Sequence, residues 1–129
     1  MRFHTAVNKF SWQAVVGQPL TVWETALDQK RPYLALEDAV EVISFFIKNK
    51  LYDGELYNVV TENLTVRQIV DCLKEYRPNL NVKLVQHKIM NQLSYEVSSE
   101  KLMKKGFKYK GSYKSSIKDT MNLFRNINT

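Results

Sequence analysis

Few side chains in this sequence are spaced to do chemistry unaided. The two histidines, His4 and His87, and the single cysteine, Cys72, lie far apart in the chain, so a zinc site needs carboxylates recruited at no recognisable spacing. Cys72 falls beside Val70 and Leu73 of a predicted helix, where a thiol packs rather than attacks. The four glycines, Gly17, Gly54, Gly106 and Gly111, are isolated, so neither a phosphate-cradling loop nor a dinucleotide fingerprint can be built from them. Glu37 and Asp38 are neighbouring carboxylates available for acid–base work, but at a helix start the favourable interaction with the helix dipole is the preferred reading. Lys104, Lys105, Lys108, Lys110 and Lys114 interleave with Phe107, Tyr109 and Tyr113, a pattern in which cations meet phosphates and rings stack on bases. Against that use, Phe107 follows a glycine helix stop like a core anchor, residues 100–129 hold one arginine, Arg125, and no nucleic-acid-binding motif accompanies them.

The elements that must position these groups follow from periodicity. Ala6, Val7, Phe10, Ala14 and Val15 predict a helix over residues 5–16, stopped by Gly17 and Pro19. Residues 20–23 and 33–36 read as short strands, with Asp28, Gln29, Lys30 and Arg31 on a polar excursion between them. A helix over 37–48 places Glu37, Asp38 and Glu41 near its positive end and Ala39, Val42, Ile43, Phe46 and Ile47 on one side. After an Asp53-Gly54 turn, 56–60 reads as a strand, and Thr65-Val66-Arg67-Gln68 forms a capping box for a helix to Tyr76 with Ile69, Val70 and Leu73 inward. Strands are expected at 82–86 and 95–97. Ser98 or Ser99 caps a short helix to Lys105 with Leu102 and Met103 inward, Gly106 ends it, and 107–109 is extended. A last helix begins at Ser116 and carries the stripe Ile117, Met121, Phe124 and Ile127. There is neither an internal repeat nor a linker.

Composition agrees with one soluble domain: 129 residues, 44% hydrophobic and 25% charged, with too few Gly and Pro for a disordered or collagen-like chain. No apolar run approaches the roughly 20 residues of a membrane-spanning helix. The first ten residues include Arg2, His4, Asn8 and Lys9 and do not form a secretory signal. With one cysteine and no partner for it, a cytoplasmic location is expected, and no membrane partner. The net charge of +6 sits entirely in residues 100–129, which hold eight Lys and Arg against two Asp and Glu. That end is read as a solvated lysine-rich surface, and nucleic acid is not the expected partner.

Several segments together resemble a known family. Gly17-Gln18-Pro19-Leu20-Thr21-Val22-Trp23, then Gln29-Lys30-Arg31-Pro32-Tyr33-Leu34-Ala35-Leu36-Glu37-Asp38-Ala39, is similar to the substrate-binding part of nucleotide-sugar epimerases and dehydratases, which are extended short-chain dehydrogenases/reductases. Tyr57-Asn58-Val59-Val60 resembles their Y-N-[apolar]-G strand, residues 64–69 the helix start that follows, and Ser98 to Phe107 their D-x-x-K-[apolar] ending. The likeness implies a mixed α+β lobe of several helices and short strands: the C-terminal portion of such an enzyme, without its Rossmann domain. The family's catalytic Tyr-x-x-x-Lys is missing, since none of the seven tyrosines has a lysine four residues later.

Carried over by position, the resemblance makes Arg31 the clamp on a nucleotide diphosphate, a role suited to a guanidinium fork. Trp23 then lies beside the nucleobase, with Val22 and Leu20 adding backbone or apolar contact. Asn8 and Phe10 line the phosphate end, Lys88 stands for a second diphosphate-binding arginine, and Asn91 for a ribose-side aspartate. No catalytic, cofactor or metal residue is assigned. Glu24, Thr25 and Ala26 replace the family's glycines before the arginine, and Pro32 replaces its acid, while Asp38 is kept. The implied partners are a nucleotide-diphosphate sugar and a Rossmann cofactor domain in the same or another chain. NAD or NADP belongs to that domain, and this lobe, residues 1–129, is expected to be inactive alone. Exposed apolar surface implies homo-oligomerisation. The alternatives are a non-catalytic module pairing with a separate cofactor domain, and a small basic nucleic-acid-binding domain.

Overall fold

A computed structural model describes residues 5–86 and 94–127. His4, His87, Lys88 and Asn91 therefore lie outside the described residues, as does the side chain of Ile127. The element order is α1 (Ala6–Val16), β1 (Leu20–Trp23), a 3-10 turn (Glu24–Ala26), β2 (Lys30–Tyr33), α2 (Leu36–Lys48), β3 (Glu62–Thr65), α3 (Val66–Tyr76), β4 (Val82–Val85), α4 (Glu100–Lys104) and α5 (Tyr113–Ile127). The result is a mixed α/β fold in which two short sheets are packed among helices.

One sheet pairs β1 and β4 in parallel, from Leu20 opposite Val82 to Trp23 opposite Val85. The other pairs β2 and β3 antiparallel, with Arg31 opposite Leu64 and Pro32 opposite Asn63. β1 alternates buried and exposed residues, so Leu20 and Val22 point inward and Thr21 and Trp23 outward. They meet Phe10 and Ala14 of α1, Ile69, Val70, Cys72 and Leu73 of α3, and Ile117 and Met121 of α5 in the main core. Gly17 ends α1 with a left-handed φ of 73°, as a residue without a Cβ can. The Thr65–Gln68 capping box is present on α3, Thr65 Oγ1 accepting from the Gln68 N–H and Gln68 Oε1 from the Thr65 N–H.

A second, smaller core gathers Val42, Leu102 and Phe107, flanked by Phe45, Phe46, Tyr57 and Tyr109. The rings of Phe107 meet those of Phe45 and Tyr109 edge to face. Phe107 is thus the core anchor its place after Gly106 suggests.

Several local expectations are corrected. The strand expected at 33–36 is β2, three residues earlier, because its ladder partner is 62–65 and the chain turns helical at Leu36. Arg31 accordingly sits in a strand and not on an excursion. Residues 56–60 form no strand: side chains serve their backbone instead, Lys101 Nζ donating to the Leu56 carbonyl, the Tyr109 hydroxyl receiving the Val60 N–H, and the Ser99 hydroxyl donating to the Val60 carbonyl. Residues 95–97 belong to no sheet, and Asn63 holds them by exchanging side-chain amide bonds with both the N–H and the carbonyl of Val97. On α2 the buried residues are Asp38 and Val42, whereas Ile43 and Ile47 are exposed. Met103 is exposed, and α5 begins at Tyr113.

Candidate functional site

Arg31 is half-buried on β2, and its neighbours fix its guanidinium. Nη1 donates to the Lys30 carbonyl at 2.7 Å, Nη2 donates to Gln29 Oε1 at 3.2 Å, and the guanidinium carbon lies 5.0 Å above the Tyr95 ring. Tyr95 is held there because residues 94–96 run beside β2: the Lys30 N–H donates to Ser94 Oγ, the Tyr95 N–H donates to the Lys30 carbonyl, and Lys30 pairs with Glu96. A planar cation pre-oriented in this way would lose little freedom on accepting an oxyanion.

Next along β2, Tyr33 joins Arg31 to a cleft of about 970 Å³ between the first turns of α1 and α2, the end of β2 and the outer side of α5. Burial pushes the Tyr33 phenol up, and the Arg31 charge acts in the opposite direction, so the two groups are within electrostatic reach. Asn8, Glu37, Thr61 and Asp119 contribute polar groups to the wall, and Leu36 and Val40 contribute apolar surface. Among the described residues no lysine or arginine lines it. Carboxylates, hydroxyls and an amide beside apolar surface suit a polyol, and a guanidinium such as that of Arg31 suits an anion.

One side of the cleft rests on Asp38, which is fully buried. It accepts from the Thr61 hydroxyl at 2.6 Å and from the backbone N–H groups of Lys110 at 2.9 Å and Gly111 at 3.1 Å. Burial alone raises the Asp38 carboxyl, but these three donors and the Lys110 charge outweigh it and hold the group below the usual carboxylate range. Gly111 has to be glycine here, since a Cβ would lie 2.6 Å from Ala35 Cβ and 2.8 Å from Asp38 Oδ2. Asp38 is therefore a joint between α2, Thr61 and the segment before α5. It is neither a solvated dipole partner nor a free acid.

The remaining site expectations divide. Asn8 lines the cleft. Trp23 is 39% exposed at the end of β1, in the other sheet from Arg31. Leu20 and Val22 put their side chains into the core. Phe10 is likewise a core residue beside Ala14 and does not line the cleft. Lys88 and Asn91 lie outside the described residues. Gln29, Tyr33 and Tyr95 were missed as site residues. Tyr33 carried a signal, as the aromatic two residues from Arg31 on one strand, but nothing local marks Tyr95 as the ring under a guanidinium 64 positions away in the chain. Cys72 is buried on α3, where burial and the nearby Glu75 raise its thiol pKa against the effect of Lys114.

The fold defined by these elements matches part of extended short-chain dehydrogenase/reductase structures. The Thermus thermophilus UDP-glucose 4-epimerase complex with NAD superposes with a TM-score of 0.76 over 97% of this chain and 42% of that one, at 23% identity. RMD from Pseudomonas aeruginosa complexed with NADPH gives a TM-score of 0.82 over 98% of this chain and 44% of that one, at 16% identity. In sequence, the chloroplastic UDP-sulfoquinovose synthase of Spinacia oleracea is 41% identical over 69 residues, which is 52% of this chain and 14% of the spinach protein. The relatives and structural neighbours are thus NAD-dependent epimerase/dehydratase family members, and the chain spans less than half the length of each of these three. No protein-family model matches it.

Proposed function

We propose that residues 1–129 act as one substrate-binding lobe of an NAD- or NADP-dependent nucleotide-sugar epimerase or dehydratase. The observation that carries this reading is the Arg31 guanidinium, held over Tyr95 beside a cleft whose polar wall, among the described residues, lacks cations. The diphosphate lies on Arg31, the sugar enters the cleft past Tyr33 and Asn8, and Trp23 offers its exposed ring to the base. In this division of labour the lobe supplies affinity and orientation, which lower the entropy cost of bringing the sugar to a hydride acceptor.

The residues present do not fit a dinucleotide. β1 leads into the turn Glu24–Ala26 without a glycine, and Gly17, Gly54 and Gly106 each stand alone with positive φ. Hydride exchange therefore falls to a cofactor domain in the same or another chain, and this lobe is inactive without it. The lysine-rich end does not favour a nucleic-acid partner. Lys101, Lys105, Lys110 and Lys114 are paired with Glu55, Asp53, Glu41 and Glu75, and Lys104 with Glu100.

Titration calorimetry tests the reading. The chain is expected to bind a UDP-sugar and UDP but not NAD, and to show no turnover with NAD and UDP-sugars together. Arg31→Ala weakens UDP binding about tenfold to a hundredfold, the range for losing charge-assisted bonds to phosphate. Unchanged affinity in that variant, or turnover by the chain alone, removes the reading.

A further inference from the structure

Asn63 lies within β3, opposite Pro32 in the ladder. Asparagine is a poor strand residue, because its side chain competes with the ladder for backbone hydrogen bonds. Here that competition is turned on a distant stretch of chain. Nδ2 donates to the Val97 carbonyl and Oδ1 accepts from the Val97 N–H, both at 3.0 Å, so the amide meets residue 97 as a paired peptide unit would. Pro32 has no N–H to offer a further strand, and the amide across from it supplies both a donor and an acceptor.

Two residues before Val97 is Tyr95, whose ring lies under the Arg31 guanidinium. The backbone tie of Tyr95 to β2 is long and shared: its N–H reaches the Lys30 carbonyl at 3.3 Å, and the same carbonyl receives Arg31 Nη1 at 2.7 Å. Upstream, the Lys30 N–H donates to Ser94 Oγ at 2.9 Å, while the Lys30–Glu96 pair is exposed on both sides and adds little. Downstream, the double bond of Asn63 to Val97 comes before the attachments of Ser98 to Asn58, at 3.4 Å, and of Ser99 to Val60. The platform for Arg31 is thus held at one end by Lys30 and at the other by Asn63.

We infer that Asn63 is a positioning residue of the anion clamp: by pairing with Val97 it fixes the Tyr95 ring, and through that ring the guanidinium of Arg31. The inference rests on the reading of Arg31 as the diphosphate-binding cation. It assigns part of the affinity for phosphate oxygens to an uncharged side chain that acts before the ligand arrives, by ordering the cation in advance.

Nuclear magnetic resonance of Arg31, together with titration calorimetry against UDP, tests this on the 129-residue chain, with circular dichroism as a check on folding. The Tyr95 ring current is expected to displace the Arg31 Nε–H resonance, and Tyr95→Leu defines its position without the ring. Asn63→Ala should move the resonance most of the way to that position and weaken UDP binding about fivefold. Asn63→Asp keeps the acceptor for the Val97 N–H but sets a charge against the Val97 carbonyl, so it moves both readouts in the same direction, and it decides the matter if the alanine variant does not fold. In an Arg31→Ala background the Asn63 substitution costs no further affinity, which a general loss of structure would not produce. A resonance that neither folded Asn63 variant moves, or an equal loss of UDP affinity with and without Arg31, overturns the inference. The resonance needs no ligand, so a wild type that shows the coupling yet binds no UDP removes the nucleotide-sugar reading and leaves the positioning of Arg31 by Asn63 standing.

Discussion

At the scale of single residues, Asp38 gathers one hydroxyl and two backbone N–H donors behind the cleft wall. Removing its carboxylate strands a hydroxyl and two backbone N–H groups, so Asp38→Ala is expected to lose about 3 kcal/mol in urea unfolding. Asp38→Asn keeps an acceptor but no charge. A carboxyl whose native pKa is lowered stabilises the fold fully above its unfolded pKa, and that contribution fades as pH falls through the native value. The deficit of Asp38→Asn relative to wild type should therefore shrink as pH drops below the ordinary aspartate value of 3.8, and a pH-independent deficit contradicts the assignment. The sequence marked Asp38 as special only through its helix-start position and its place in the family pattern. The donors that bury it come from residues 61, 110 and 111, and no local pattern points to them.

At the scale of elements, legibility followed how local the determinants are. α1 with its Gly17 stop, β1, and α3 with its capping box were readable because propensity, cap and stripe lie within one window. Thr65→Ala should consequently lower stability by about 1 kcal/mol, a fall of about 4 °C in melting temperature, while Thr65→Ser keeps most of it. β3 was not readable: Glu62–Thr65 has one buried residue, Leu64, and is a strand because β2 lies opposite. The converse holds at 56–60, whose apolar residues suggested a strand and whose backbone is instead served by Lys101, Tyr109 and Ser99. The clamp shows the same limit, since Arg31 was legible from its motif and the Tyr95 platform was not.

At the scale of the whole molecule, the charge excess of residues 100–129 is partly absorbed by acidic residues from the first 99. Four of its lysines hold carboxylates at positions 41, 53, 55 and 75, so the basic end is fastened across the body of the protein. Exposed pairs of this kind each add little stability. Arg31, in the charge-balanced part of the chain, reaches the cleft wall electrostatically through Tyr33. The Asp38 joint reaches further still, tying α2 to backbone 72 and 73 residues later. Such a closure is slow to find, because most of the intervening chain has to be ordered before the three donors converge on one carboxylate. The joint should thus be absent from the folding transition state and present only in the final product. Weakening it with Asp38→Asn is expected to speed unfolding and leave the folding limb of the denaturant–rate plot nearly unmoved. In kinetic terms the buried carboxylate acts as a latch that sets how long the cleft, once formed, persists.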